Sequence, residues 1–104
     1  MDQTKVIEIS RNYIFLLKQK NFSVQKAYLY GSYAKGKNNE NSDIDIAVFL
    51  QSLLDPIQTQ IEMLILTWNF DTRIEPHPFH EEELTLKNPI IREILMTGIE
   101  LNIH

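Results

Sequence analysis

The sequence contains no cysteine. That excludes a disulfide framework, a cysteine-ligated zinc module and a thiol nucleophile, and it suits a reducing cytoplasm. Basic charge is not in excess: ten Lys and Arg stand against fourteen Asp and Glu, for a formal net charge of −4. Such a chain lacks the phosphate-neutralising charge that drives nucleic-acid affinity, so nucleic acid is not the expected partner. No apolar run approaches the roughly 20 residues that span a bilayer. Asp2 and Glu8 interrupt any signal-peptide stretch at the start. A cytoplasmic protein that does not enter membranes is expected. Internal repeats and low-complexity tracts are also absent.

The hydrophobic share of 43% in 104 residues is enough for one core without staples, so residues 1–104 are read as a single domain. Val6, Ile9, Tyr13, Leu16 and Leu17 recur at helical spacing and predict a helix from Thr4 to Lys20, stopped at Asn21. AYLYGS reads as a strand that ends in a tight turn at Gly31, and residues 35–42 as an exposed loop. DIDIAVFL reads as an interior strand. It sets Ile44, Ile46, Val48 and Leu50 on one face and Asp43, Asp45, Ala47 and Phe49 on the other.

Asp55 and Pro56 mark the cap and first position of a second helix that runs to about Asn69. Its apolar stripe is Ile57, Ile61, Leu64, Ile65 and Trp68. Trp68 and the stripe beside it are read as core; exposed, they would form a partner surface. FDTRIE reads as a third strand, ended by Pro76 and Pro78. Glu81 to Thr97 carries a helical pattern broken at Asn88–Pro89, with Ile90, Ile91, Ile94 and Leu95 inward and Gly98 at its end. The Glu81–Glu83 run suits the first turn of that helix. Ile99, Leu101 and Ile103 alternate as a short last strand. The expected fold class is α/β, a small mixed β-sheet covered by helices.

One segment points to chemistry. Gly31–Ser32 is followed, after ten residues, by Asp43-x-Asp45. Gly31 lets a phosphate approach the backbone, and Ser32 can cap a short helix whose free N–H groups favour an anion. Asp43 and Asp45 point the same way from one strand, and like charges so placed call for a cation. Oxygen ligands suit Mg²⁺ or Mn²⁺, and two such ions can clamp the attacking and leaving oxygens of a phosphoryl transfer. A third carboxylate would complete the set. Glu75 at the end of the third strand is preferred and Asp71 is the alternative. Arg73 could steady a phosphate or pair with either acid. Lys35 and Lys37 flank the turn and could reach a triphosphate. His77 and His80, with Pro78 between them and no cysteine, make a poor zinc pair and are set aside.

GSYAKGKNNENSDIDIAVF resembles the signature of the DNA polymerase β-like nucleotidyltransferase superfamily, and most closely that of the small MNT-type (minimal nucleotidyltransferase) proteins. The resemblance runs from the opening helix through RIEPHPF to the closing TGIEL. It implies a core that transfers a nucleoside monophosphate, by default AMP from ATP. Gly31 and Ser32 would hold the triphosphate, and of the two lysines near the turn Lys35 is counted with them. Asp43, Asp45 and Glu75 would be the catalytic, metal-binding carboxylates. Glu75 departs from the usual Asp, and its extra methylene would shift the ligating oxygens. Asp45 or Glu75 would take the proton of the attacking hydroxyl. Larger relatives carry a helical domain for the acceptor; here a separate subunit would supply it. Many such minimal proteins are similar to antitoxins paired with HEPN-type toxins, and in those pairs the nucleotidyltransferase can inactivate its partner by attaching AMP to a tyrosine. Two other readings stand beside this one. One is a binding module that neutralises its partner by complex formation alone. The other is a small-molecule nucleotidyltransferase with an acceptor pocket in this chain or across a homo-oligomer.

Overall fold

The computed structural model describes residues 2–103; Met1 and the last tail residue, His104, lie outside them. Helix α1 runs Gln3–Gln19. The Asp2 carboxylate accepts from the Lys5 N–H at 2.8 Å, which satisfies one of the first-turn donors that have no partner inside a helix. The helix stops where Asn21 takes a φ of 70°, a left-handed conformation that Asn tolerates. Val6, Tyr13, Ile14 and Leu17 form its fully buried stripe.

Among the described residues four strands make one sheet: β1 (Val24–Tyr30), β2 (Ile44–Leu50), β3 (Ile74–His80) and β4 (Ile99–Glu100), in the order β3-β2-β1-β4. β1 is antiparallel to β2 and β4, whereas β3 is parallel to β2. A parallel pair needs a crossover, and helix α3 (Pro56–Thr67) provides it. β2 is interior, as its pattern predicts. Ile44, Ile46, Val48 and Leu50 join the main core with Leu17 of α1 and Met63 of α3. Ala47 and Phe49 pack on the opposite face with Tyr28, Ile91 and Ile94, beneath helix α4 (Pro89–Thr97). Among the described residues no helix is long and apolar enough to cross a membrane.

Helix α3 starts as expected, with Asp55 accepting from the Gln58 N–H at 3.0 Å, but its buried side is not the expected stripe. Met63 and Thr67 are buried, while Ile57, Ile61, Ile65 and Trp68 are 74, 45, 46 and 68% exposed. Trp68 is therefore a surface residue at the helix end, not core. IEMLILTW is apolar around most of its circumference, so spacing cannot orient it. A tertiary contact goes with the observed orientation: the buried Tyr13 hydroxyl of α1 donates to the Met63 carbonyl at 2.8 Å.

β3 also departs from expectation. It begins at Ile74 and continues through Pro76 and Pro78. It is an edge strand, and its odd-numbered residues turn their backbone polar groups toward β2, beginning with the Arg73 carbonyl that accepts from Ile44 N–H at 2.8 Å. The even-numbered prolines face outward, where a missing N–H breaks no ladder bond. The Gln60 side chain covers part of that edge by donating to the Pro76 carbonyl at 3.0 Å.

The stretch after β3 is a 3₁₀ turn (Glu81–Glu83) and then α4, capped by Asn88, whose side chain accepts from Ile90 N–H at 2.9 Å. Ile91 and Ile94 are buried, but Ile90 is exposed. Gly98 has an extended backbone, φ −78° and ψ 167°, not the left-handed one expected of a helix-ending glycine. Its small size is needed for another reason: a Cβ there would run into the carbonyl oxygens of Ile94 and Leu29.

Candidate active site

At the end of β1 the chain turns at Gly31 into a single helical turn, α2 (Ser32–Lys35). Gly31 has φ 76° and ψ −151°, a backbone that L side chains rarely adopt. A Cβ there would also overlap Asp45 Oδ2. Glycine is thus required twice, by its dihedrals and by the approach of a carboxylate. Ser32 does not cap the turn, as its sequence position suggested; it is the first helical residue, and Gly31 is the cap. A four-residue turn has little macrodipole, so what it can offer an anion is its first N–H groups and the Ser32 hydroxyl. Tyr33, buried, anchors the turn to the main core.

Lys35 reaches across to α4 and pairs with Glu93, which holds the Glu93 carboxyl below its usual range. Between them opens a cleft of about 240 Å³, bounded by Tyr30, Gly31 and Lys35 on one side and Ile90, Glu93 and Ile94 on the other. Lys37 lies beyond it, exposed in the loop.

The strand register builds the acidic part of the site. Asp45 is opposite Tyr30 on β1 and opposite Glu75 on β3. Asp43 stands one residue before β2 and is exposed. Burial raises the Glu75 pKa, and the charges of Asp43 and then Asp45 raise it further. The Tyr30 hydroxyl is pushed far above its usual range by burial and by the charges of Asp45 and Glu75, so it stays protonated. His77 completes the group. Its Nε2 is 3.8 Å from Asp45 Oδ1, and its ring meets the Tyr30 ring edge-on with centroids 5.8 Å apart. Ligand atoms of Asp45, Glu75 and His77 all lie within 4.8 Å of one another. Carboxylates gathered at this distance repel, and a divalent cation would turn the repulsion into ligation.

Of the residues singled out in the sequence, Gly31, Asp45 and Glu75 therefore meet, and Asp43 contributes its charge from the rim. Asp71, the alternative third carboxylate, is committed elsewhere. Arg73 grips it through Nε at 2.9 Å and Nη2 at 2.5 Å, and these bonds hold the Asp71 pKa below its usual value. His77 is the residue that sequence reasoning set aside. Placing the strand end at Glu75 hid the signal, which is that residue 77 shares a strand face with residue 75. His80 has the opposite parity and serves the chain turn instead. Its Nδ1 accepts from Glu82 N–H at 3.1 Å, and its own N–H donates to Glu83 Oε2 at 2.7 Å.

The family model for "Polymerase beta, Nucleotidyltransferase" matches residues 12–102. The protein adenylyltransferase MntA of Shewanella oneidensis is 43% identical over 57 residues, which are 55% of this chain and 36% of that protein. The matched segment is thus little more than a third of that curated relative. A crystal structure of a toxin–antitoxin with AMP-PNP has a TM-score of 0.66 at 29% identity, covering 88% of this chain and 72% of that one. The crystal structure of the toxin–antitoxin MntA–HepT has a TM-score of 0.60 at 25% identity, covering 91% and 71%.

Proposed function

We propose that this chain, which belongs to the polymerase β nucleotidyltransferase family, is a metal-dependent nucleotidyltransferase that moves AMP from ATP to a hydroxyl of a partner protein. The partner would be a HEPN-type toxin and this chain its antitoxin. The likeness to an adenylyltransferase and to a toxin–antitoxin with AMP-PNP supports that choice of donor and partner. The observation that carries the reading is the junction of Gly31 with Asp45 and Glu75. The turn lies directly against the Asp45 carboxylate, at the place where two strands bring Asp45 and Glu75 side by side. A cytoplasmic setting, where ATP is at hand, accords with the absence of cysteine.

The donor set fits a divalent cation: carboxylate oxygens of Asp45 and Glu75 lie within 4.8 Å of each other and of a His77 nitrogen, and Asp43 would add its oxygens from the rim. Bound there, the ion would withdraw charge from the triphosphate and lower the pKa of the acceptor hydroxyl. The remaining roles fall to the chain. Gly31 and the first N–H groups of α2 would seat the phosphates, with the Ser32 hydroxyl beside them. Lys35 would exchange Glu93 for the triphosphate. The acceptor oxygen bonds to the α-phosphorus as the bond to the β-phosphate bridge breaks, and pyrophosphate leaves. The Asp45–Glu75 pair would take the acceptor proton.

Intact mass spectrometry of the protein encoded beside this one tests the reading. The neighbour is compared alone, co-expressed with this chain, and co-expressed with the Asp43→Asn/Asp45→Asn variant. A mass increase of one or more AMP units that needs both aspartates is the expected result. A stable complex without added mass would replace the transferase by a binding module.

A further inference from the structure

We propose that His77 is a ligand in this site, so that Asp45, Glu75 and His77 together favour a transition-type divalent ion such as Mn²⁺ over Mg²⁺. The inference rests on the metal-dependent reading above and adds to it a nitrogen donor that sets which metal is preferred.

Four independent features of β3 and its neighbours aim His77 at the carboxylates. First, residues 75 and 77 share one strand face, and the parallel register puts Ala47, with only a methyl group, opposite His77. Nothing larger stands on that part of β2 between the imidazole and Asp45. Second, the distances suit a shared ion. Donors about 2.1 Å from one metal stand about 3–4 Å apart, and His77 Nε2 lies 3.8 Å from Asp45 Oδ1. The full trio closes within 4.8 Å, so small side-chain rotations complete it. Third, the Tyr30 ring packs edge-on against the imidazole and limits its swing. Fourth, Pro76 and Pro78 fix φ on both sides of His77 and stiffen an edge strand that would otherwise be free to flex.

The chemistry then follows from the donor set. An all-oxygen site suits Mg²⁺, which holds its water tightly and has little preference for imidazole. An imidazole beside two carboxylates raises affinity for first-row transition ions over Mg²⁺; Mn²⁺ gains least among them, but it accepts the two carboxylates as readily as Mg²⁺ and the nitrogen more readily. His80 offers no such donor, since its Nδ1 is already taken by the 3₁₀ turn.

The test measures binding of Mn²⁺ alone and Mg²⁺ alone to the full chain by titration calorimetry, without nucleotide. The echo-modulation spectrum of bound Mn²⁺ reports nitrogen ligation directly. Wild type is expected to bind Mn²⁺ at least tenfold more tightly than Mg²⁺ and to show nitrogen modulation. His77→Gln should weaken Mn²⁺ about tenfold or more, leave Mg²⁺ within about twofold and abolish the nitrogen signal. Asp45→Asn should weaken both ions. An unchanged Mn²⁺ to Mg²⁺ ratio in His77→Gln, or no nitrogen signal in wild type, overturns the proposal. Failure of the transferase reading is separable: a chain that binds Mn²⁺ through His77 yet adds no mass to its partner keeps this site and loses that reaction.

Discussion

The same four strands present two unlike faces. Toward α1 and α3, β2 offers Ile44, Ile46, Val48 and Leu50, all essentially sealed from water. Toward α4 it offers Phe49 and Ala47, then Asp45, with Glu75 and His77 alongside on β3. The covering helices differ in length. α1 has 17 residues and spans about 25 Å, whereas α4 has nine and spans about 13 Å. The shorter cover buries Ala47 and Phe49 with Ile91 and Ile94, while Asp45 stays partly exposed. Water reaches the Asp45 side chain there, and the strand beneath it is clamped from the other face. Rigidity and chemistry thus come from opposite sides of one strand.

If that division holds, the two properties can be broken one at a time. The largest expected effect is from Asp45→Asn. It should lower transfer to the partner by about 10²–10⁴-fold, read as the initial rate of mass increase. It should leave the melting temperature unchanged or higher, because the amide no longer repels Glu75. A steep loss of stability would mean that the open face also supports the fold. Leu17→Ala is the mirror experiment. Leu17 is fully buried in the main core, and its truncation should cost about 2–5 kcal/mol in urea unfolding. Ion binding at Asp45 should be retained wherever the variant is folded. Loss of ion binding in the folded variant would show that the faces are not independent.

A smaller effect separates the two acids near the start of β3. Arg73 holds the Asp71 pKa below its unfolded value, so the pair stabilises the fold above pH of about 4. That contribution is lost as pH falls through the depressed folded-state pKa. Arg73 is partly exposed, which limits the pair to about 1 kcal/mol or less. Asp71→Asn should therefore lower stability slightly at pH 7 and flatten its decline in acid, as measured by urea midpoints across pH. The same change at Glu75, whose pKa is raised, should have the opposite sign: protonation favours the folded state, so Glu75→Gln should not destabilise at pH 7.

Legibility in the sequence follows the same division. The interior strand is readable because its alternation separates Ile44, Ile46, Val48 and Leu50 from Asp45, Ala47 and Phe49. Gly31, Asp45 and Glu75 are readable because a turn glycine and same-face acids have few structural uses together. Three features are not. The prolines of β3 read as stops, because their edge position depends on sheet order, which no local pattern states. His77 is lost with that boundary. The orientation of α3 is hidden because apolar residues on several sides erase the periodicity that would choose one. In each case the deciding fact is tertiary.

The smallest expected effect lies on α3 itself, and it sharpens what covering a face means. α3 helps seal the main core with Met63 and Thr67, yet its outer side carries Ile57 and Trp68, both more than two-thirds exposed. Apolar side chains that remain in water contribute little to folding, because their transfer never takes place. Ile57→Gln should therefore change the urea midpoint by no more than about 0.5 kcal/mol, whereas Met63→Ala, less than two turns on but facing inward, should cost about 2–5 kcal/mol. The two residues belong to one helix and are similarly apolar, so composition and propensity cannot separate them. If Ile57→Gln instead destabilised the protein by about 2 kcal/mol or more, Ile57 would be buried in solution. The outer side of α3 would then be a contact surface whose occupant stabilises the fold by mass action, and the loss would grow with protein concentration if that occupant were a second copy.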